Sequence, residues 1–150
     1  MTKRLILAAA VLGLGLSTAL GQADVVRERA MLMYEQGEAF YATLNSMARG
    51  RMAYDQAKVD AAMKVLLESA EKLQTLYPPN ARGQSPEADY FANAKAFENK
   101  ADFDARLAKM KAEIVANAPK AKSLDGLKEA VGAIGQTCSG CHELYRAKKG

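Results

Sequence analysis

The chain has 150 residues, 49% of them apolar and 25% charged, with a formal charge of +4 at pH 7. That is the size and balance of one globular domain, which excludes a disordered tail and a multidomain assembly. Two cysteines are too few for a disulfide scaffold, and the absence of long basic runs or basic-aromatic interleaving argues against a nucleic-acid partner.

The chain opens with Thr2-Lys3-Arg4, an apolar run from Leu5 to Leu16, and small residues ending Ala19-Leu20-Gly21. This is the pattern of a secretory signal peptide. The competing reading, a transmembrane helix, needs roughly 20 apolar residues, and here polar sequence begins too soon for a stable membrane span. Residues 1–21 are therefore expected to be cleaved, leaving 22–150 as one domain exported to the periplasm. Cleavage after Ala23 is the alternative. Loss of Lys3 and Arg4 removes two positive charges, so much of the basic character belongs to the leader.

The exported part predicts four helices with Gly and Pro at their joints, and no alternating β-branched window long enough for a sheet. The first, roughly Asp24 to Ala48, repeats Val26, Ala30, Met33, Gly37, Phe40, Leu44 and Met47 at steps of four and three, which is one apolar stripe. The second, about Asp55 to Leu76, carries Val59, Ala62, Met63, Leu66, Ala70, Leu73 and Tyr77 on one face and stops at Pro78-Pro79. A Pro- and Gly-rich loop comes next. Ser85-Pro86-Glu87 then has the form of a helix start, with the stretch from Glu87 to Phe97 either the beginning of the third helix or a separate turn before Phe103, Leu107, Met110 and Ile114. The fourth opens on Ser123 and runs through Leu127, Val131, Ile134, Cys138, Cys141 and Tyr145. Short connections between the first and second and between the third and fourth helices predict an all-α, antiparallel up-down-up-down four-helix bundle.

Cys138-Ser139-Gly140-Cys141-His142 has the spacing of the attachment signature for c-type haem. Two thiols three residues apart on a helical turn can each add to one vinyl group of the same porphyrin, while the next imidazole reaches the iron. Three other readings compete. A disulfide inside one helical turn closes too short a loop to stabilise much. A structural zinc site wants four ligands, and these are the only cysteines and the only histidine. A thioredoxin-like pair belongs at the head of a helix after a strand.

With that motif near its C-terminus, the sequence resembles the class II cytochromes c, the family of cytochrome c prime and its low-spin relatives. The resemblance is carried by Cys138 through Arg146, by Tyr54-Asp55-Gln56-Ala57 and by Arg29-Ala30-Met31-Leu32-Met33. It implies one covalently attached haem c, with Cys138 and Cys141 forming thioethers and His142 bound to iron. It also implies Arg146 and Arg29 near the haem propionates, Met33 at the distal position, redox partner proteins in the periplasm, and a homodimer joined through the first two helices. Tyr34, Tyr41 and Met52 are either the candidate surface for such a dimer or equally scattered surface residues, and the oligomeric state stays open. Either arginine can equally be an ordinary surface charge.

A single histidine rules out bis-histidine ligation, so the distal side holds methionine, a weaker ligand or nothing. Met31 lies roughly 200° around the helix from Met33 and points away from it. Met47 and Met63 also lie on apolar stripes, where methionine commonly just fills space. If Met33 binds iron, the expected activity is one-electron transfer by a Met/His haem. If Met33 only packs, the expectation becomes a five-coordinate site that binds nitric oxide or carbon monoxide. A peroxidase is disfavoured, because no second imidazole is available for acid-base work.

Overall fold

The computed structural model describes residues 21–150, so all but the last residue of the expected signal peptide lies outside the described residues. Helix α1 covers residues 21–48, and its stretch Glu38–Leu44 is wound as π-helix before α-geometry returns at Asn45–Ala48. A π turn holds more residues than an α turn and so rotates the residues beyond it. Val26, Arg29, Leu32 and Gln36 are buried before that stretch, and Phe40, Leu44 and Met47 within and after it. The expected single stripe thus divides. Val26, Phe40, Leu44 and Met47 enter the core, whereas Ala30, Met33 and Gly37 sit beside it, half-buried.

Helix α2, Gln56–Leu73, begins where Asp55 accepts a hydrogen bond from the Lys58 amide at 3.1 Å. It ends three residues before the expected Leu76, and Leu76 and Tyr77 are buried in the turn that leads to the prolines. Tyr54 and Gln56 both donate to the Ala121 carbonyl at 3.2 Å, fastening the α1–α2 joint to the far end of the molecule's other hairpin.

Ser85-Pro86-Glu87 starts no helix. The Ser85 hydroxyl donates to Glu87 Oε2 at 2.6 Å instead of capping a backbone amide, and the chain passes into strand β1, Tyr90–Ala92. A short turn of helix, α3 (Lys95–Glu98), precedes α4, Lys100–Asn117. A 3₁₀ turn at Ala118–Lys120 carries Pro119 and leads to α5, Leu124–Tyr145. Ser123 caps α5 as expected, accepting from the Gly126 amide at 3.2 Å. Strand β2, Arg146–Lys148, then pairs antiparallel with β1, Tyr90 opposite Lys148 and Ala92 opposite Arg146. This two-stranded ribbon corrects the expectation of no sheet. Three residues show no detectable period, and only closure of the tertiary structure brings the two stretches together.

Among the described residues, α1 packs on α2 and α5, α4 packs on both α2 and α5, and the four long helices close an antiparallel bundle. Leu44, Met47, Val59, Leu73, Leu107, Ile114, Leu127 and Ile134 fill its centre and are essentially inaccessible to solvent. Each such side chain contributes about 1.5–3 kcal/mol by leaving water. Two glycines allow the closest approaches. A β-carbon at Gly126 would collide with the Lys120 carbonyl oxygen, and one at Gly135 would lie 3.1 Å from the Phe40 ring. Among the described residues no helix is long and apolar enough to cross a membrane.

Candidate functional site

The last turns of α5 present Cys138, Cys141 and His142 toward α1 and α4. Their geometry is fixed from α4. Arg106 Nη1 donates to the Gly140 carbonyl inside the motif at 3.1 Å, while its Nε donates to Asp102 at 2.7 Å. The Tyr145 hydroxyl donates to the same Asp102 oxygen at 2.5 Å, and the Arg106 guanidinium lies 5.9 Å from the Tyr145 ring. Phe103 meets that ring edge-on at 5.1 Å. In sequence Tyr145 stands out only as an apolar position, and Arg106 and Asp102 do not stand out at all. Spaced four apart on a helix, they look like any solvated ion pair.

Electrostatics follow from burial and from this network. Burial raises the Cys138 thiol, and pushes that of Cys141 up to about 11 despite the opposing charge of Arg106. The His142 imidazole is lowered first by burial and then by the Arg146 guanidinium, whose Nη1 lies 3.4 Å from Nδ1. At neutral pH the motif therefore offers two protonated thiols and a neutral imidazole, the form that binds metal. A thioredoxin-like pair needs a depressed thiol, the opposite shift. Among the described residues, no three His, Cys, Asp or Glu side chains gather into a metal site of their own.

Two adjoining cavities meet at the motif, one of about 140 Å³ and one of about 810 Å³. Met33, Cys141, His142 and Arg146 line both. Cys138, Gln36, Leu66 and Met110 belong to the smaller; Arg29, Ala30, Tyr77, Phe103 and the 83–92 segment form much of the larger. The larger is the size of a typical cofactor site. Met31 is 56% exposed and touches only the larger cavity, whereas Met33 lines both. Met47 and Met63 are buried in the core.

Arg29 is only 4% exposed, and its guanidinium donates to the carbonyls of Ala81 at 2.6 Å and Gly83 at 3.0 Å. It also lies 5.1 Å from the Tyr77 ring. This side chain ties α1 to the loop before β1 while forming part of the larger cavity's wall. Arg146 is exposed at the rim, with its guanidinium 4.6 Å from the Tyr90 ring.

The model of the family described as Cytochrome C' matches residues 24–146. The chain belongs to that family. Its cofactor is covalently attached haem c. It is 34% identical to cytochrome c-556 of Rhodopseudomonas palustris over 148 residues, covering 98% of this chain and 99% of the relative. It is 31% identical to cytochrome c' of the same organism over 149 residues, covering 99% of each. Among solved structures, cytochrome c' from that organism aligns with a TM-score of 0.75 at 31% identity, over 85% of this chain and 98% of the other. The structural model of its oxidised cytochrome c556 aligns at 0.72 and 35% identity, over 85% and 98%.

The residues present fit the group. Two thiols, a neutral imidazole and a thioether share one largely apolar cleft, and the Gln36 side-chain nitrogen in its wall is buried with no partner of its own.

Proposed function

We propose that this cytochrome c' family member is a periplasmic one-electron carrier, with haem attached through Cys138 and Cys141 and iron held by His142 and Met33. The observation that carries the reading is the placement of Met33: it lines both cavities that His142 lines, whereas the core methionines Met47 and Met63 line neither. When bound, the haem supplies a one-electron iron couple, and a Met/His ligand pair raises its potential.

The chain's own residues supply position and exclusion of water. Arg106 and Asp102 hold the motif's turn against α4, so the thiols and imidazole are presented in a fixed relation. Leu66, Leu107 and Met110 give the smaller cavity apolar walls. Arg146 at the rim offers a cation to a propionate, and Arg29 keeps N–H groups beyond those spent on the loop carbonyls. His142 is the single histidine, and its use as ligand leaves no imidazole for acid-base catalysis, which favours a carrier over a peroxidase.

The second reading is a five-coordinate, gas-binding protein. A nitrosyl complex of an Alcaligenes xylosoxidans cytochrome c prime variant aligns with a TM-score of 0.71 at 25% identity, over 84% of this chain and 97% of the other. Optical spectra of the haem-loaded protein and of Met33→Ala decide between the two. A low-spin spectrum with a sulfur-to-iron band that the substitution abolishes supports the carrier; a high-spin spectrum that the substitution leaves alone overturns it.

A further inference from the structure

From residue 82 to residue 94 the chain forms no helix, and among these residues only Ser85 is buried. A stretch with so little apolar burial has no strong hold of its own on the core. Yet most of residues 85–92 line the larger cavity, beside Cys141 and His142.

What holds the stretch is polar, and it comes mainly from the residues that follow the motif. Lys149 Nζ donates to the carbonyls of Ser85 at 2.7 Å and Pro86 at 3.0 Å, and the Lys149 amide donates to the Asp89 carbonyl at 2.8 Å. Strand β2 pairs with β1, and the Arg146 guanidinium lies over the Tyr90 ring. Asn93 closes the far end, its amide donating to the Tyr145 carbonyl at 2.9 Å and its Nδ2 to that of Leu144 at 3.0 Å. The tail itself is firmly seated, because Tyr145 just before it is buried and its hydroxyl is bound to Asp102. Toward α1, the polar attachment beyond Gly83 is the Arg27–Glu87 pair, more than half exposed on both sides and so of little weight. A two-stranded ribbon by itself is marginal in water. The contacts of Lys149 therefore decide whether the stretch stays down.

We propose that residues 146–149 are a latch that holds residues 84–92 as a flap over the larger cavity, and that release of Lys149 from the Ser85 and Pro86 carbonyls opens the cleft to solvent and small solutes. The proposal rests on the haem reading for what the flap covers, but not for how the flap is fastened. Closed, the flap limits solvent access to the cofactor and so sets its redox surroundings; open, it gives a small oxidant a shorter approach.

The test compares the haem-loaded protein with its Lys149→Met and Lys148→Met variants. Both substitutions remove one positive charge and keep an unbranched stem, but the Lys148 side chain is exposed and takes no part in the bonds to Ser85 and Pro86. In Lys149→Met the amides of residues 84–92 are expected to exchange hydrogen about tenfold faster, as loss of charge-assisted hydrogen bonds requires, while those of α2 and α4 are unchanged. Ferricyanide, which takes one electron from the reduced iron, should oxidise that variant faster, although loss of a positive charge alone slows encounter with this anion. Lys148→Met should show only the slowing. Exchange at residues 84–92 that ignores Lys149, or that rises equally in Lys148→Met or throughout the helices, overturns the latch. Faster exchange with oxidation merely slowed, as in Lys148→Met, overturns the flap as a cover for the cofactor. A protein without haem absorbance removes the haem reading, and the exchange rates still decide the latch.

Discussion

Leu32 and Met33 are neighbours on α1, yet one closes the core at 7% exposure and the other faces the cavities beside His142. A step of about 100° around the helix separates a packing residue from a candidate ligand. The same economy governs Asp102, whose single Oδ2 accepts from both Arg106 and Tyr145. The Arg106 hydrogen bond, and then that of Tyr145, hold its carboxyl below the ordinary range. A carboxyl depressed in the folded state adds stability above its unfolded value of about 4, and that contribution is lost as pH falls through the folded value. Asp102→Asn should therefore lower the melting temperature at pH 7 and narrow its deficit as pH drops below about 4, which acid titrations followed by circular dichroism would show. An equal deficit at all pH values would mean the carboxylate does not anchor the motif. The motif itself was legible because two cysteines and one histidine adjoin in sequence, whereas its anchors lie on another helix.

Among the helices and their joints, the cap at Ser123 was readable because a cap is a contact over three residues, and Asp55, where the second helix was expected to begin, caps α2 in the same way. Ser85 had the same appearance and does not cap, because its hydroxyl is occupied by Glu87, which in turn pairs with Arg27 of α1 at 3.1 Å. A long-range partner for Glu87 thus overrides a local signal. Gly126 is required by the approach of the Lys120 carbonyl, and Gly126→Ala should destabilise the α4–α5 joint by about 1–3 kcal/mol in denaturant unfolding. Arg29 plays the corresponding part for the loop after α2. Arg29→Ala removes charge-assisted bonds to Ala81 and Gly83, each ordinarily worth about 1.5–3 kcal/mol, and should make the segment between α2 and β1 the first site of limited proteolysis. Proteolysis elsewhere first, at unchanged stability, would assign Arg29 to the cofactor instead of the loop.

Across the bundle, neighbour relations followed from short joints and from stripes that bury Leu107, Ile114, Leu127 and Ile134 together. Ile134→Ala should cost about 2–5 kcal/mol, since its surroundings come from several helices that cannot all close in. Tyr34 and Tyr41 stand 69% and 53% exposed on α1, whereas Met52, the third residue of the expected dimer surface, is half-buried against the core. If α1 joins two copies, Tyr41→Glu should shift the sedimenting species toward monomer, and Met52→Ala should act on stability alone. The intact mass of the exported protein should correspond to residues 22–150 plus one haem, and a mass that retains the leader would remove the case for a cleaved signal.

The all-α bundle and the C-terminal Cys-x-x-Cys-His site are written in the chain, because helix periodicity, caps and motif spacing are properties of residues within a few positions of one another. Folding in three dimensions alone places Met33 in both cavities that His142 lines, ties Arg29 to loop carbonyls, braces the motif with Arg106 and Asp102, and pairs residues 90–92 with 146–148. Each of those is a contact across tens of residues. A π turn of α1 rotates one stretch against another, and chain closure brings two unpatterned segments side by side, and neither event leaves a periodic trace in the chain.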